Sequence, residues 1–169
     1  VMNNPIWDDD YSLLKIMEEA SIQNVIVLVH AENYSLLEGY KKSLIEQSRL
    51  SVKDFPESHP PISEIEAVQR AILFAEKTGV KLYIVHLSCG LSVDSIAEAQ
   101  KRGADIICET TPHALVLSDK VYSKPDGAKF VCGPPIRSEV DREMLWEGIK
   151  KGVITTIGSD HCGFTKNQK

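Results

Sequence analysis

Three apolar runs in this 169-residue chain each end on a side chain that can bind a metal or carry a proton. Val25 to Val29 leads into His30, Tyr83 to Val85 into His86, and Ile154 to Ile157, through Gly158 and Ser159, into Asp160. Imidazole nitrogens and carboxylate oxygens suit zinc and related divalent ions, and a site with three protein ligands leaves a coordination position open for water. Such an ion lowers the pKa of its water toward neutrality. An aspartate beside it can hold the ion and also exchange a proton with that water.

No local motif unites three residues so far apart in sequence, so the fold must bring them together. A parallel sheet does this, because its strands point one way and their carboxyl ends converge on one side. The rest of the chain reads as that architecture. A helix is expected from about Asp10 to Ala20, with Asp8, Asp9 and Asp10 as capping candidates. The strand 25–29 follows, apolar at consecutive positions and so expected to be buried on both faces. A second helix spans about 33–48, and the proline-containing stretch 52–61 is a loop. Ser63 and Glu66 form a capping-box pattern for a third helix that Gly79 ends. Strand 81–85, helix 93–102 and strand 104–108 come next. Residues 114–129 read as loop, 129–132 as a short strand, 139–150 as the last helix and 153–157 as the last strand.

About five parallel strands alternating with helices give an α/β fold. It closes either as a small doubly wound domain or as part of an eight-stranded (β/α) barrel. A start at Val1 without an initiator Met, and a stop in polar residues soon after Asp160, favour a single domain over 1–169 that is a piece of a larger barrel. A hydrophobic content of 43% is ordinary for a globular protein, and a formal charge of −5 with no basic run argues against nucleic-acid or membrane partners. Cys89, Cys108, Cys132 and Cys162 form no C-x-x-C pair and read as free thiols of a cytoplasmic protein. His161 is expected to face away or support its neighbour Asp160, His59 to be exposed in its loop, and His113 to line the mouth of the site.

Five segments, in order, carry a resemblance: Val29-His-Ala-Glu-Asn33, Val85-His-Leu-Ser-Cys89, Glu109-Thr-Thr-Pro112, Gly133-Pro-Pro-Ile-Arg137 and Gly158-Ser-Asp-His-Cys162. Together they resemble the cyclic amidohydrolases, especially dihydropyrimidinase and D-hydantoinase, over essentially the whole chain. The resemblance implies the later part of a TIM barrel with two zinc ions. His30 and His86 then match ligands of one ion, and Asp160 matches a ligand of the other and the catalytic acid/base. Gly133 and Pro134 match the loop whose backbone groups hold a small cyclic amide substrate; the family often has Ser where Gly133 stands.

The family's His-x-His and its carboxylated bridging lysine have no counterpart in this sequence, and the tyrosine expected near Val1 to Asn4 is not evident. The expectation is therefore a zinc-dependent hydrolase of dihydropyrimidine or hydantoin rings in the parent protein, with this chain inactive alone. Two open sheet edges would favour a homo-oligomer. Allantoinase and dihydroorotase are the neighbouring alternatives, and a non-enzymatic dihydropyrimidinase-like scaffold is the alternative of a different class.

Overall fold

The computed structural model describes residues 9–164. Helix α1 (Asp10–Ile22) starts where the Asp9 carboxylate accepts the Ser12 N–H at 2.9 Å. Strand β1 (Val27–Val29) leads to α2 (Tyr34–Glu46), whose first turn is capped by Asn33 Oδ1 accepting the Leu36 N–H. The proline-containing stretch is wound: a 3-10 turn, Val52–Asp54, runs into a one-turn helix α3 (Phe55–Ser58). Then come α4 (Pro61–Thr78), β2 (Leu82–Leu87), α5 (Ser92–Lys101), β3 (Ile106–Thr110) and a short α6 (Pro112–Val116). Two 3-10 turns, Asp119–Ser123 and Gly127–Phe130, precede α7 (Glu139–Lys150) and β4 (Thr156–Ile157).

All strand pairings are parallel and the spatial order is β1-β2-β3-β4, the same as the order in sequence. Consecutive parallel neighbours joined through helices are the winding of a (β/α) barrel, and the described sheet is a partial one. Leu82, Ile84, Ile106 and Cys108 face α4 and α5 and are buried with Val68, Ile72, Val93 and Ile96. Their in-register neighbours Tyr83, Ile107 and Glu109 line the other face and are only half-buried. Among the described residues no helix is long and apolar enough to cross a membrane.

Four further local expectations are corrected. The run 129–132 is not a strand: its amides turn back on the chain, Lys129 N–H to Asp126 C=O and Val131 N–H to Ala128 C=O, and two prolines follow that have no N–H for a ladder. Ser63 does not cap α4, because Pro61 starts that helix with its φ already helical, and Ser63 Oγ instead donates to the Pro60 carbonyl at 2.7 Å. The segment 114–129 is not open loop but starts within α6 and winds through two 3-10 turns. β1 is buried on one face only: Val27 and Val29 pack on the core, whereas Leu28 is 61% exposed.

Candidate functional site

His30 directly follows β1. Val29 pairs with Ile84, so strand alternation carries His30 to the face shared by Leu28 and Tyr83. His86 reaches that face differently. Simple alternation would turn it toward the helices with Leu82 and Ile84, but the β2–β3 register slips between Ile84 and Leu87, which adds a residue to β2. His86 there takes φ +40°, its N–H is accepted by Glu109 Oε1 at 3.1 Å, and Leu87 returns to the core at 1% exposure. A bulge of this kind re-aims a side chain at a strand end.

The two imidazoles meet edge to face. His30 Nδ1 lies 2.9 Å from His86 Nε2, with the ring centroids 4.7 Å apart. On its other side His30 Nε2 is 3.1 Å from Glu32 Oε2, and Glu32 Oε1 is 3.4 Å from His59 Nδ1. The Glu32 side chain is 1% exposed. Burial pushes its carboxyl up, but the His30 hydrogen bond and the charges of His59, His30 and Arg137 outweigh burial and hold it below the ordinary carboxylate range. Burial, with the His30 charge beside it, lowers His86, and Asp160 pulls the other way. His59 is also lowered, chiefly by burial. It is therefore not the exposed loop residue expected: Phe55 and Glu32 cover it.

Asp160 lies beyond β4, where Gly158 N–H extends the ladder to Thr110 C=O and the aspartate takes φ +45°. It is exposed and is close enough for its charge to bear on His86. Among the described residues no three His, Cys, Asp or Glu side chains converge to hold one ion. So the structure brings His30 and His86 together but does not add Asp160 as a third ligand beside them. His161 is exposed next to it, and His113 sits half-buried in the first turn of α6.

Gly133 and Pro134 are joined by a cis peptide, with Gly133 exposed and Pro134 buried. A Cβ on Gly133 would meet Glu32 Oε2 at 3.8 Å, so this loop passes beside the same carboxylate that His30 uses. Buried groups fix the loop's exit. Ile136 N–H donates to Tyr122 Oη at 2.9 Å. Arg137 donates to Glu64 Oε2 at 3.0 Å, to Ser88 Oγ at 3.1 Å and to the His59 carbonyl. Glu64 in turn accepts the N–H groups of Ser88 and Cys89, and so ties the loop after β2 to the same cluster. Glu32, Glu64, Glu109 and Arg137 are the site residues that strand-end reasoning missed. The i, i+2 spacing of His30 and Glu32 was a usable signal, since alternate residues of an extended chain share a side.

The donor set fits a divalent ion. Its two imidazole nitrogens are of the ligand type such ions take, and a carboxylate behind an imidazole is the usual support for a metal-bound histidine. The chain is 38% identical over 164 residues to a D-hydantoinase from Geobacillus stearothermophilus, a match covering 95% of this chain and 35% of that protein. This chain is a relative of the hydantoinases and allantoinases. An allantoinase from Rubrobacter xylanophilus is 39% identical over 153 residues, 90% of this chain and 34% of that protein. The crystal structure of dihydropyrimidinase from Brevibacillus agri superposes with a TM-score of 0.91 at 38% identity, over 94% of this chain and 35% of that one. No family model matches. The chain thus spans about a third of the length of these hydantoinase-type relatives.

Proposed function

We propose that the protein containing this chain is a zinc-dependent hydrolase that opens a cyclic amide, with a hydantoin or dihydropyrimidine ring as substrate. The observation that carries this reading is the pair of imidazole nitrogens 2.9 Å apart at the ends of neighbouring parallel strands, with a buried carboxylate behind one of them. Zinc, when bound, supplies the Lewis acidity that makes water nucleophilic at neutral pH. His30 through Nδ1 and His86 through Nε2 would hold one ion, and Asp160 would be a ligand of a second. The exposed Asp160 carboxylate accepts the proton of the attacking water and delivers it to the departing ring nitrogen, so that one group acts first as base and then as acid. The backbone at Gly133 and Pro134 orients the ring amide.

The sequence contains no His-x-His, and the 169-residue chain on its own is expected not to turn over substrate. A homo-oligomer is part of this proposal, supported by the side of β1 that carries no strand among the described residues. The test is zinc stoichiometry and ring opening, measured on the full natural polypeptide with hydantoin, dihydrouracil and allantoin. Zinc-dependent opening of hydantoin or dihydrouracil, abolished by Asp160→Asn, is the expected result. Preference for allantoin would move the substrate assignment, and turnover without metal would overturn the reading.

A further inference from the structure

We infer that Glu32 is the positioning residue of this site: it fixes the His30 ring in the tautomer that turns a lone pair toward His86, and His59 backs it from the other side. This inference rests on the metal-site reading above and extends it to a residue outside the ligand set. An ionised carboxylate has no proton to give, so in the 3.1 Å contact the hydrogen belongs to His30 Nε2. A neutral imidazole protonated at Nε2 has its lone pair on Nδ1, the atom that faces His86 Nε2 at 2.9 Å. Without Glu32 nothing in this geometry favours one tautomer over the other.

The second carboxylate oxygen has its own neighbour. Glu32 Oε1 and His59 Nδ1 are both buried, lie 3.4 Å apart and have no hydrogen-bond partner, so alignment falls short while proximity and burial are complete. Arg137 holds the His59 carbonyl, and Gly133 passes beside Glu32 Oε2. The carboxylate is therefore the point where the ligand strand, the stretch before α4 and the Gly133 loop meet. Its burial restricts its rotamers, which is what a ring-orienting partner requires.

The experiment reads the tautomer directly. In the full natural polypeptide with 15N-labelled histidine, freed of metal, long-range proton–nitrogen correlation spectra report which nitrogen of His30 is protonated. Wild type is expected to show Nε2–H alone. Glu32→Ala is expected to give a mixture of tautomers, and Glu32→Gln, which keeps an acceptor oxygen and the side-chain volume, to preserve more of the Nε2–H form. Zinc affinity by titration should fall about 10- to 100-fold in Glu32→Ala, and less in Glu32→Gln, with His59→Gln weakened least. An unchanged His30 tautomer in both Glu32 variants would overturn the inference. If the tautomer depends on Glu32 while wild type binds no zinc, the positioning role stands and the metal reading falls. A merely structural role would lower thermal stability in both variants and leave the tautomer intact.

Discussion

On the helix-covered face of the sheet, Leu82 and Ile84 are 0% exposed and Ile106 is 6% exposed. On the opposite face the same strands present Tyr83, Ile107 and Glu109 half in solvent, and β1 adds Leu28 at 61% exposure. The first face consists of aliphatic side chains chosen for volume and packed against α4 and α5. The second is held by polar links between strands: Tyr83 Oη donates to Glu109 Oε2 at 2.8 Å and lies 3.0 Å from Thr156 Oγ1, while Glu109 Oε1 takes the His86 amide. One face secures the fold and the other aims the side chains at its rim.

The largest expected effect comes from making the same change on both faces. Leu82→Ala removes a fully buried side chain and should lower unfolding free energy by about 2–5 kcal/mol. Leu28→Ala, one register position from the site, should stay within about 0.5 kcal/mol, because its side chain is mostly in water already. Denaturant midpoints of the two variants measure the difference. Equal losses would mean that Leu28 is covered in solution, and the contrast between the faces would then hold only among the described residues.

An intermediate effect should appear where the polar face is tightest. A Cβ added at Gly158 would fall under 3.0 Å from three atoms of the Glu109 carboxyl group, so Gly158→Ala must displace the acceptor of the His86 N–H and the Tyr83 hydroxyl. Leaving such groups unsatisfied costs about 1–3 kcal/mol. Shortening the clashing group should relieve it: in a Glu109→Ala background, Gly158→Ala should cost much less. A double-mutant cycle by equilibrium unfolding reads that coupling. Additive costs would show that the strain lies in the Gly158 backbone and not against Glu109.

The same contrast explains what could be read from the sequence. Aliphatic periodicity revealed the five longer helices and their alternation with strands, and a cap such as Asp9 could be named because a side-chain oxygen facing a free N–H at a helix start is a local event. The 129–132 strand failed because its amides turn back onto nearby carbonyls, Lys129 N–H to Asp126 and Val131 N–H to Ala128. His30 and His86 could be picked out as strand-end residues, but not the means by which His86 turns inward. That depends on a register slip stabilised by Glu109, a residue 23 positions away. Glu64 and Arg137 are likewise partners across 73 positions, and pairings at that distance leave no mark on local patterning.

The smallest effect is expected at Gly133, and it tests whether the polar rim has spare room. A Cβ there meets no atom closer than Glu32 Oε2 at 3.8 Å, an ordinary contact, and Gly133 has no positive φ that demands glycine. Gly133→Ser should therefore change stability by no more than about 0.5 kcal/mol. Its hydroxyl would stand beside the Glu32 carboxylate and could donate to it, competing with His30 for Oε2 or adding a second donor there. The two outcomes differ in the His30 tautomer. Nε2–H retained means the serine shares the carboxylate and the rim tolerates it. Loss of Nε2–H with stability unchanged means the loop can draw Glu32 away from His30, which would make Gly133 a determinant of ring orientation as well as a part of the proposed substrate loop. A stability loss above about 1 kcal/mol would contradict the open space seen at this position.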